Sequence, residues 1–436
     1  MRKLFLATLL LGSALMVNAQ SGTNSPYSQY GLGILSDQTS GFNRGMNGVG
    51  LGFHEHNQVN YLNPASYASL DSMTFILDAG ISGQVTNFEE NDVTKKTGVK
   101  KKKNANNSNF EYVVAGFRLL PHVGMSFGII PFTNVGYNYY QSKPKDMPSD
   151  MDFDYTNTYS GDGGLHQAYI GAGWEPVKGL AVGANFSYLW GSIDRSVSNS
   201  YSNSYYKTLT RYYSMQVNSY KVDFGVQYTH QFSKKDWATV GVTFSPGHGL
   251  GASADMKIIS NDTQNGVTDT TAYSIGKAYK LPTMIGAGVM WNHNNQWKVG
   301  FDYSLQKWGS LGYPSFDGTN YALKNGIYKD RSKFNLGAQY CYGERSRAFF
   351  KRVQYRVGAS YATPYYKMNG VDGPKEISVS AGFGIPIMNS YNNRSMLNIS
   401  GQWVKSSAKD LIKENSFRIN IGFTFNEDWF KKWKMD

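Results

Sequence analysis

His54-Glu55-His56 is the cluster whose residue types point most directly to metal ligation. Two histidines one residue apart on an extended chain project to the same side, but a helical zinc motif needs the i, i+4 spacing, and no third ligand is evident. A hydrogen-bonded segment is the simpler reading, and no metal site is assigned. Gly48-Val49-Gly50-Leu51-Gly52 is rich enough in glycine to suggest phosphate binding. Without a surrounding parallel βαβ unit it is no dinucleotide fingerprint. Serine, histidine and aspartate are all present, yet no nucleophile-elbow pattern joins them. No catalytic residue and no cofactor is expected, so the chain is not read as an enzyme. Lys95, Lys96, Lys100, Lys101, Lys102 and Lys103 form a basic run that suits lipopolysaccharide phosphates, an acidic partner or simply a solvated loop. The single cysteine, Cys341, excludes an internal disulfide framework.

The elements that must position these residues follow from composition and pattern. The 436 residues carry a net charge of +12, with 47 Gly, 32 Tyr, 24 Phe and 9 Trp and only 17% charged residues, a mixture poor in helix formers and rich in strand formers. The one sizeable apolar run, Leu4 to Val17, falls short of the roughly 20 residues a spanning helix needs. Preceded by Arg2-Lys3 and followed by Val17-Asn18-Ala19, it reads as a cleaved secretory signal over residues 1–19. An exported chain makes nucleic acid an improbable partner.

Beyond residue 71 apolar residues occupy every second position. Ile377, Val379, Ala381, Phe383, Ile385 and Ile387 alternate with Ser378, Ser380, Gly382, Gly384 and Pro386, and Phe417, Ile419, Ile421, Phe423 and Phe425 alternate with Arg418, Asn420, Gly422 and Thr424. This period of two is a strand signature. Fourteen such segments can be counted, near 71–88, 109–119, 123–141, 164–177, 179–196, 211–232, 237–255, 272–291, 296–311, 332–344, 351–366, 375–387, 395–408 and 415–429. Short links alternate with long polar ones at 89–108, 142–163, 197–210, 256–271 and 312–331, as in an outer-membrane barrel with short periplasmic turns. A soluble sandwich would not need Trp174, Trp190, Trp291, Trp297, Trp403 and many Tyr near segment ends, where an interfacial girdle belongs. The expected fold is all-β, a transmembrane antiparallel barrel of about fourteen strands. Asp78, Asp223, Lys298, Asp302, Arg356 and Arg418 then face the lumen, where burial demands pairing with one another or with Arg44, Asp37 and Glu55.

Residues 20–70 do not alternate, and a lumen this wide has room for them as a plug. Here a family resemblance enters. Asn43-Arg44-Gly45-Met46-Asn47-Gly48-Val49-Gly50, followed by Asn63-Pro64-Ala65, resembles the hatch of the FadL family of outer-membrane transporters for hydrophobic compounds. Gly128-Ile129-Ile130-Pro131-Phe132 resembles that family's interrupted third strand, and Leu281-Pro282, Trp308, Asn335 to Tyr340 and Arg356-Val357-Gly358 fit in order. Two departures stand out: Asn426 to Asp436 follow the last aromatic of the final strand, and the long loops are polar and Tyr-rich.

The resemblance implies hatch residues Arg44, Gly48, Gly50, Asn63, Pro64 and Ala65, and a lateral opening at Pro131 and Phe132, where proline interrupts the ladder. The expected organisation is signal 1–19, hatch 20–70, barrel 71–430 and a basic periplasmic tail 431–436, with Trp429, Phe430 and Trp433 resting at the interface. The expected location is the bacterial outer membrane, with both termini in the periplasm. The implied function is passive uptake of fatty-acid-like or aromatic compounds, through hatch rearrangement and lateral release. The alternative is a non-transporting scaffold or shuttle in an outer-membrane protein secretion or assembly complex, as some members of that family are. Expected partners are outer-membrane lipid and lipopolysaccharide, a hydrophobic small molecule and, in the alternative, outer-membrane or periplasmic proteins.

Overall fold

The computed structural model describes residues 23–91, 100–142, 154–203, 205–344, 346–368, 370–387, 395–409 and 411–428. The signal segment, Lys95, Lys96 and the tail from Trp429 lie outside them. Fourteen strands close into an antiparallel barrel: β1 (Thr74–Asn91), β2 (Lys100–Leu120), β3 (Val123–Ser142), β4 (Tyr155–Val177), β5 (Leu180–Tyr201), β6 (Thr208–Gln231), β7 (Asp236–Ser245), β8 (Met284–His293), β9 (Trp297–Gln306), β10 (Arg331–Tyr340), β11 (Gln354–Ala362), β12 (Lys375–Ile387), β13 (Ser395–Ser407) and β14 (Lys413–Asp428). Each pairs with the next, and β14 pairs with β1 from Thr74↔Asp428 to Glu89↔Lys413. Closure leaves no free end strand, which is what the hydrocarbon requires of a spanning sheet.

The period-two pattern becomes an inside-out wall. Phe186 and Tyr188 are exposed on β5 while Asn185, Ser187 and Leu189 between and beside them are buried. On β12, Ile377, Val379 and Phe383 face out, whereas Ser378 and Ser380 are buried against the plug. Trp174, Trp291, Trp297 and Trp403 are exposed near the strand ends. Trp308 instead is fully buried in an apolar cluster.

The wall is uneven. Strands β1 to β6 run 18, 21, 20, 23, 22 and 24 residues, whereas β7 to β10 have 10 each and β11 has 9. Two expectations change accordingly. Lys100 to Lys103 are not in a loop: they open β2 and pair with residues 88–91 of β1. The region around 237–275 does not extend β7 and β8. Ala254–Asp262 and Val267–Ile275 form a separate hairpin that pairs with the outer end of β6. Of the described ends, Asp428 sits beside Thr74, and Thr23 hydrogen-bonds Gly136 of β3; the expected periplasmic termini themselves lie outside the described residues.

The plug, residues 23–70, contains a short helix α1 (Gly41–Arg44) and a 3-10 turn, Pro64–Ser69, capped by Asn63, whose side-chain carbonyl accepts the Ala65 N–H. That turn lies flat on a row of glycines contributed by four successive strands. Gly124, Gly173, Gly183 and Gly225 are cross-strand neighbours, and a Cβ on them would come within 1.8 Å of Tyr67 O, 2.5 Å of Pro64 O, 2.5 Å of Pro64 C and 2.1 Å of Asn63 Oδ1 respectively. Only hydrogen at these positions allows backbone to rest on wall.

Gly183→Val is therefore expected to dislodge the Asn63-Pro64-Ala65 corner, at a cost of about 1–3 kcal/mol or more from forced overpacking. Gly83→Val, on an outward face where a Cβ meets nothing within 4 Å, is the matched control. Heat-dependent electrophoretic mobility and protease sensitivity of the plug should change in the first variant only.

Candidate functional site

The lumen is the candidate site, and its lower floor is a set of polar clamps. Arg44, at the end of α1, is buried and donates to Glu111 Oε2 at 2.7 Å and to Asn420 Oδ1 at 3.1 Å, and its other nitrogens reach the carbonyls of Thr39 and Asp37. Asp37 in turn meets Lys333 at 2.9 Å and Arg418 at 3.4 Å. Lys298 pairs with Glu55. Of the six charges expected to face the lumen, Arg418 thus meets Asp37 and Lys298 meets Glu55, while Arg44 takes Glu111 instead.

Four of the lumen charges behave differently from that expectation. Asp302 finds no cation among the described residues; its Oδ2 accepts the backbone N–H groups of Gly50 at 2.7 Å and Leu51 at 2.9 Å. Asp78 accepts from Tyr112 Oη at 3.0 Å. Asp223 is held by Lys221 of its own strand and by Ser245, without touching the plug. Arg356 has no carboxylate partner among the described residues. It donates to Gln339 at 2.8 Å, Asn398 at 2.6 Å and Gln354, so amide oxygens do the work of a counter-ion. A carboxylate satisfied by two N–H groups or a guanidinium satisfied by three amides meets the same burial requirement as an ion pair.

The glycine-rich stretch serves packing. Asn47 (φ 55°) and Gly48 (φ 91°) turn the chain after α1, and the Asn47 side chain bonds Ser378 Oγ at 2.7 Å and Gln402 at 2.7 Å. Asn63 donates to Leu51 O at 2.9 Å and locks the two halves of the plug together. His54 and His56 do not converge: His54 Nδ1 meets Gln227 at 2.7 Å, and His56 Nδ1 meets Asp71 at 2.9 Å. No group of three metal-ligating side chains occurs among the described residues.

The upper floor is apolar and filled. Leu32, Phe132, Val135, Leu165, Leu189, Trp308, Tyr328, Tyr365 and Tyr366 belong to one buried cluster. Tyr366 Oη, in the link between β11 and β12, donates to Tyr27 O at 3.1 Å and Arg195 of β5 to Gly31 O at 2.7 Å, so wall and loop together hold the plug's first residues. Beside the clamps two cavities measure about 80 and 180 Å³, the second lined by Asp37, Lys221, Asp223, Asp302 and Lys333 together with Leu35, Leu51 and Phe132, and a third of about 460 Å³ lies between Glu55 and His56 of the plug and the polar turns Asn294 to Gln296 and Tyr342 to Glu344. Pockets for drug-sized ligands run roughly 300–1,000 Å³ and are mostly apolar.

A seam interrupts the wall beside Pro131. β2 and β3 pair only from Val113↔Ile129 to Leu120↔Val123. Past Ile129, β3 carries a bulge between Pro131 and Thr133 on its β4 side, and on its free side it pairs with the plug through Ile34↔Asn134 and Leu35↔Thr133. Ser36 N–H donates to Phe132 O at 3.0 Å and Gly136 N–H to Ser28 Oγ at 3.2 Å, extending this lacing along the strand. Pro131 and Phe132 thus mark where the third strand leaves its neighbour, as the proline suggested. Sequence reasoning missed the plug contacts of Glu111, Lys333 and Tyr112, whose Oη accepts the Gly41 N–H; for Glu111 and Lys333 a charged residue within a strand was the available signal.

The fold and the filled lumen define a plugged fourteen-strand barrel of the outer-membrane type. The chain belongs to the BamG family, whose model it matches over residues 1–436. Similar solved structures include the CymD monoaromatic hydrocarbon channel (15% identity, TM-score 0.58, covering 92% of this chain and 100% of that one). They also include the Ralstonia pickettii toluene transporter TbuX (13%, 0.58, 88% and 97%) and a Pseudomonas aeruginosa FadL homologue (11%, 0.60, 90% and 98%). At these identities the likeness establishes the fold that the FadL-like motifs implied. No curated protein matches the sequence.

Arg44→Met, which strands Glu111 in the lumen, is expected to destabilise by about 3–5 kcal/mol. Asp302→Asn, which weakens two charge-assisted bonds to the plug, should cost about 1–3 kcal/mol. Denaturant midpoints of the folded-barrel band measure both, and replacing Arg44 and Glu111 together by apolar residues should recover much of the first loss.

The hydrogen bond to Asp71 raises the His56 pKa above its ordinary value. The stabilisation from this contact is complete below pH about 6.5, the unfolded value, and is lost as pH rises through the higher folded value. Protease sensitivity of residues 54–71 should therefore rise over that window in the natural protein and be flat in His56→Gln.

Proposed function

We propose that this barrel is a closed, non-conducting subunit of an outer-membrane protein assembly or secretion complex, a scaffold that offers its wall and outer surface to other proteins. The observation that carries this reading is the filled lumen. The upper chamber is occupied by the chain's own aromatic side chains, the lower by a plug held at Glu111, Asp302, Lys298, Lys333 and Arg418, and the one cavity of ligand size, about 460 Å³, has a polar lining of Glu55, His56, Asn294 to Gln296 and Glu344 rather than an apolar one. The tall half of the wall, β1 to β6, adds exposed surface that a pore has no use for. The rim of the seam on β2 is Asn104-Ala105-Asn106-Asn107-Ser108-Asn109, a poor doorway for an apolar molecule.

The second reading is passive uptake of fatty-acid-like or aromatic compounds. It is favoured by the fold shared with proteins described as hydrocarbon and toluene transporters, and by a seam that begins beside Pro131. In that reading the ligand is captured above, the plug shifts around Asn63-Pro64-Ala65, and release is lateral past Pro131 and Phe132. Membrane lipid is the surrounding solvent in both readings.

Purification from native outer membranes in mild detergent separates the two. Stoichiometric protein partners, an empty lumen by native mass spectrometry and silent planar bilayers are expected. Co-purifying fatty acid or hydrocarbon, with uptake altered by plug deletion or Pro131→Val, would instead establish transport.

A further inference from the structure

The seam leaves a strand edge unaccounted for. Along residues 102–112, β2 pairs with β1 on one side, while no described strand pairs with it on the other. Across the gap the Asn24 side-chain amide donates to Asn107 Oδ1 and, at 3.5 Å, to Asn106 O. Below the lysines this edge runs level with the lipid-facing band, and main-chain donors and acceptors that no described strand meets cannot be left facing hydrocarbon, where each unmade bond costs several kcal/mol.

The outward face of the same stretch is equally foreign to lipid. Asn104, Asn106 and Ser108 are exposed there in succession, and Lys102 continues the row. Their neighbours on β1 are Val85 opposite Asn106 and Gly83 opposite Ser108, and beyond β1 lie Phe417 and Ile419 of β14, exposed apolar residues of the lipid-facing band. Gly83 leaves open space above the wall, so the polar row borders a shallow groove.

We infer that the free edge of β2 is a docking site for an extended segment of a second outer-membrane protein, which adds to the sheet beside residues 102–112 and brings carboxylates level with Lys102 and Lys103. Strand addition satisfies the main-chain groups, and the Asn-Ser row supplies side-chain bonds on the outer face. Lys103 faces Phe88 across the ladder and so has no acid opposite it, whereas Lys102 lies opposite Glu89. Charge selects the occupant. A second copy of this chain, inserted the same way up, would set its own Lys102 and Lys103 against these, and like charges side by side oppose that pairing. This inference rests on the scaffold reading and names the surface and the partner chemistry for it.

The test is in vivo crosslinking in the full-length protein, with benzoylphenylalanine replacing Asn106 or, as a lipid-facing control, Val357 on β11. Unheated electrophoretic mobility verifies that each variant folds. The expected result is one protein adduct from Asn106 and none from Val357, with the crosslinked peptide acidic. Its yield should fall on the order of tenfold when Lys102→Glu and Lys103→Glu are combined. An adduct to lipopolysaccharide or to a second copy overturns the inference, as does an adduct formed equally at Val357 or unchanged by charge reversal. Stoichiometric partners in mild detergent with no adduct at Asn106 would sink this surface and leave the scaffold reading standing. Absence of any partner would sink that reading itself.

Discussion

Hydrocarbon provides no hydrogen-bond partner to a peptide group, and nearly every feature of this barrel is a response to that fact. The sheet must close, so β14 returns to β1. Its apolar residues must face outward, so the polar and small ones turn in and would leave a wet lumen if nothing filled it. The plug does fill it, and its own backbone then needs partners: Asp302 receives Gly50 and Leu51, Gln227 reaches Leu51 and Phe53 carbonyls, and the glycine row lets Pro64–Ser69 lie directly on the wall. The seam between β2 and β3 is the place where the rule is only half met among the described residues, because β3 is completed by Ile34–Leu35 while no described strand completes the facing edge of β2.

Filling the lumen changes what the shared fold can do. A barrel of this strand number has space for a conduit. Here the lower half holds five side-chain clamps between plug and wall, and the upper half is filled by a buried cluster of tyrosine, leucine and Trp308. The outer surface carries the remaining specificity: a girdle for lipid, a tall wall on one side and an amide-rich edge within it.

Much of this was legible in the sequence, because alternation is a direct record of which face meets lipid. Strand number and the position of most strands follow from it. What the pattern could not give was the partner of each buried charge. Arg356 and Asp302 look like halves of ion pairs, but satisfaction depends on geometry across strands far apart in sequence, and amides or backbone N–H groups serve equally well. Nor did the Lys100 to Lys103 run read as strand. Charge suggests a solvated loop when a strand continues above the membrane, where polar residues on both faces erase the alternation. The hairpin at 254–275 was hidden in the same way: its residues alternate weakly and were absorbed into their neighbours.

The threading of the plug also bears on how the molecule can be made. Residues 23–70 emerge first in synthesis, yet they are enclosed by a wall whose last seam, β1 with β14, joins residues nearest the two ends of the described barrel. Tyr366 and Arg195 hold the plug's first residues and the glycine platform its last, so it is fixed to the wall at both ends. The cylinder must shut around its contents, so the assembly machinery that inserts this protein handles a half-wrapped parcel, and the final zippering of first strand to last is the step that seals it.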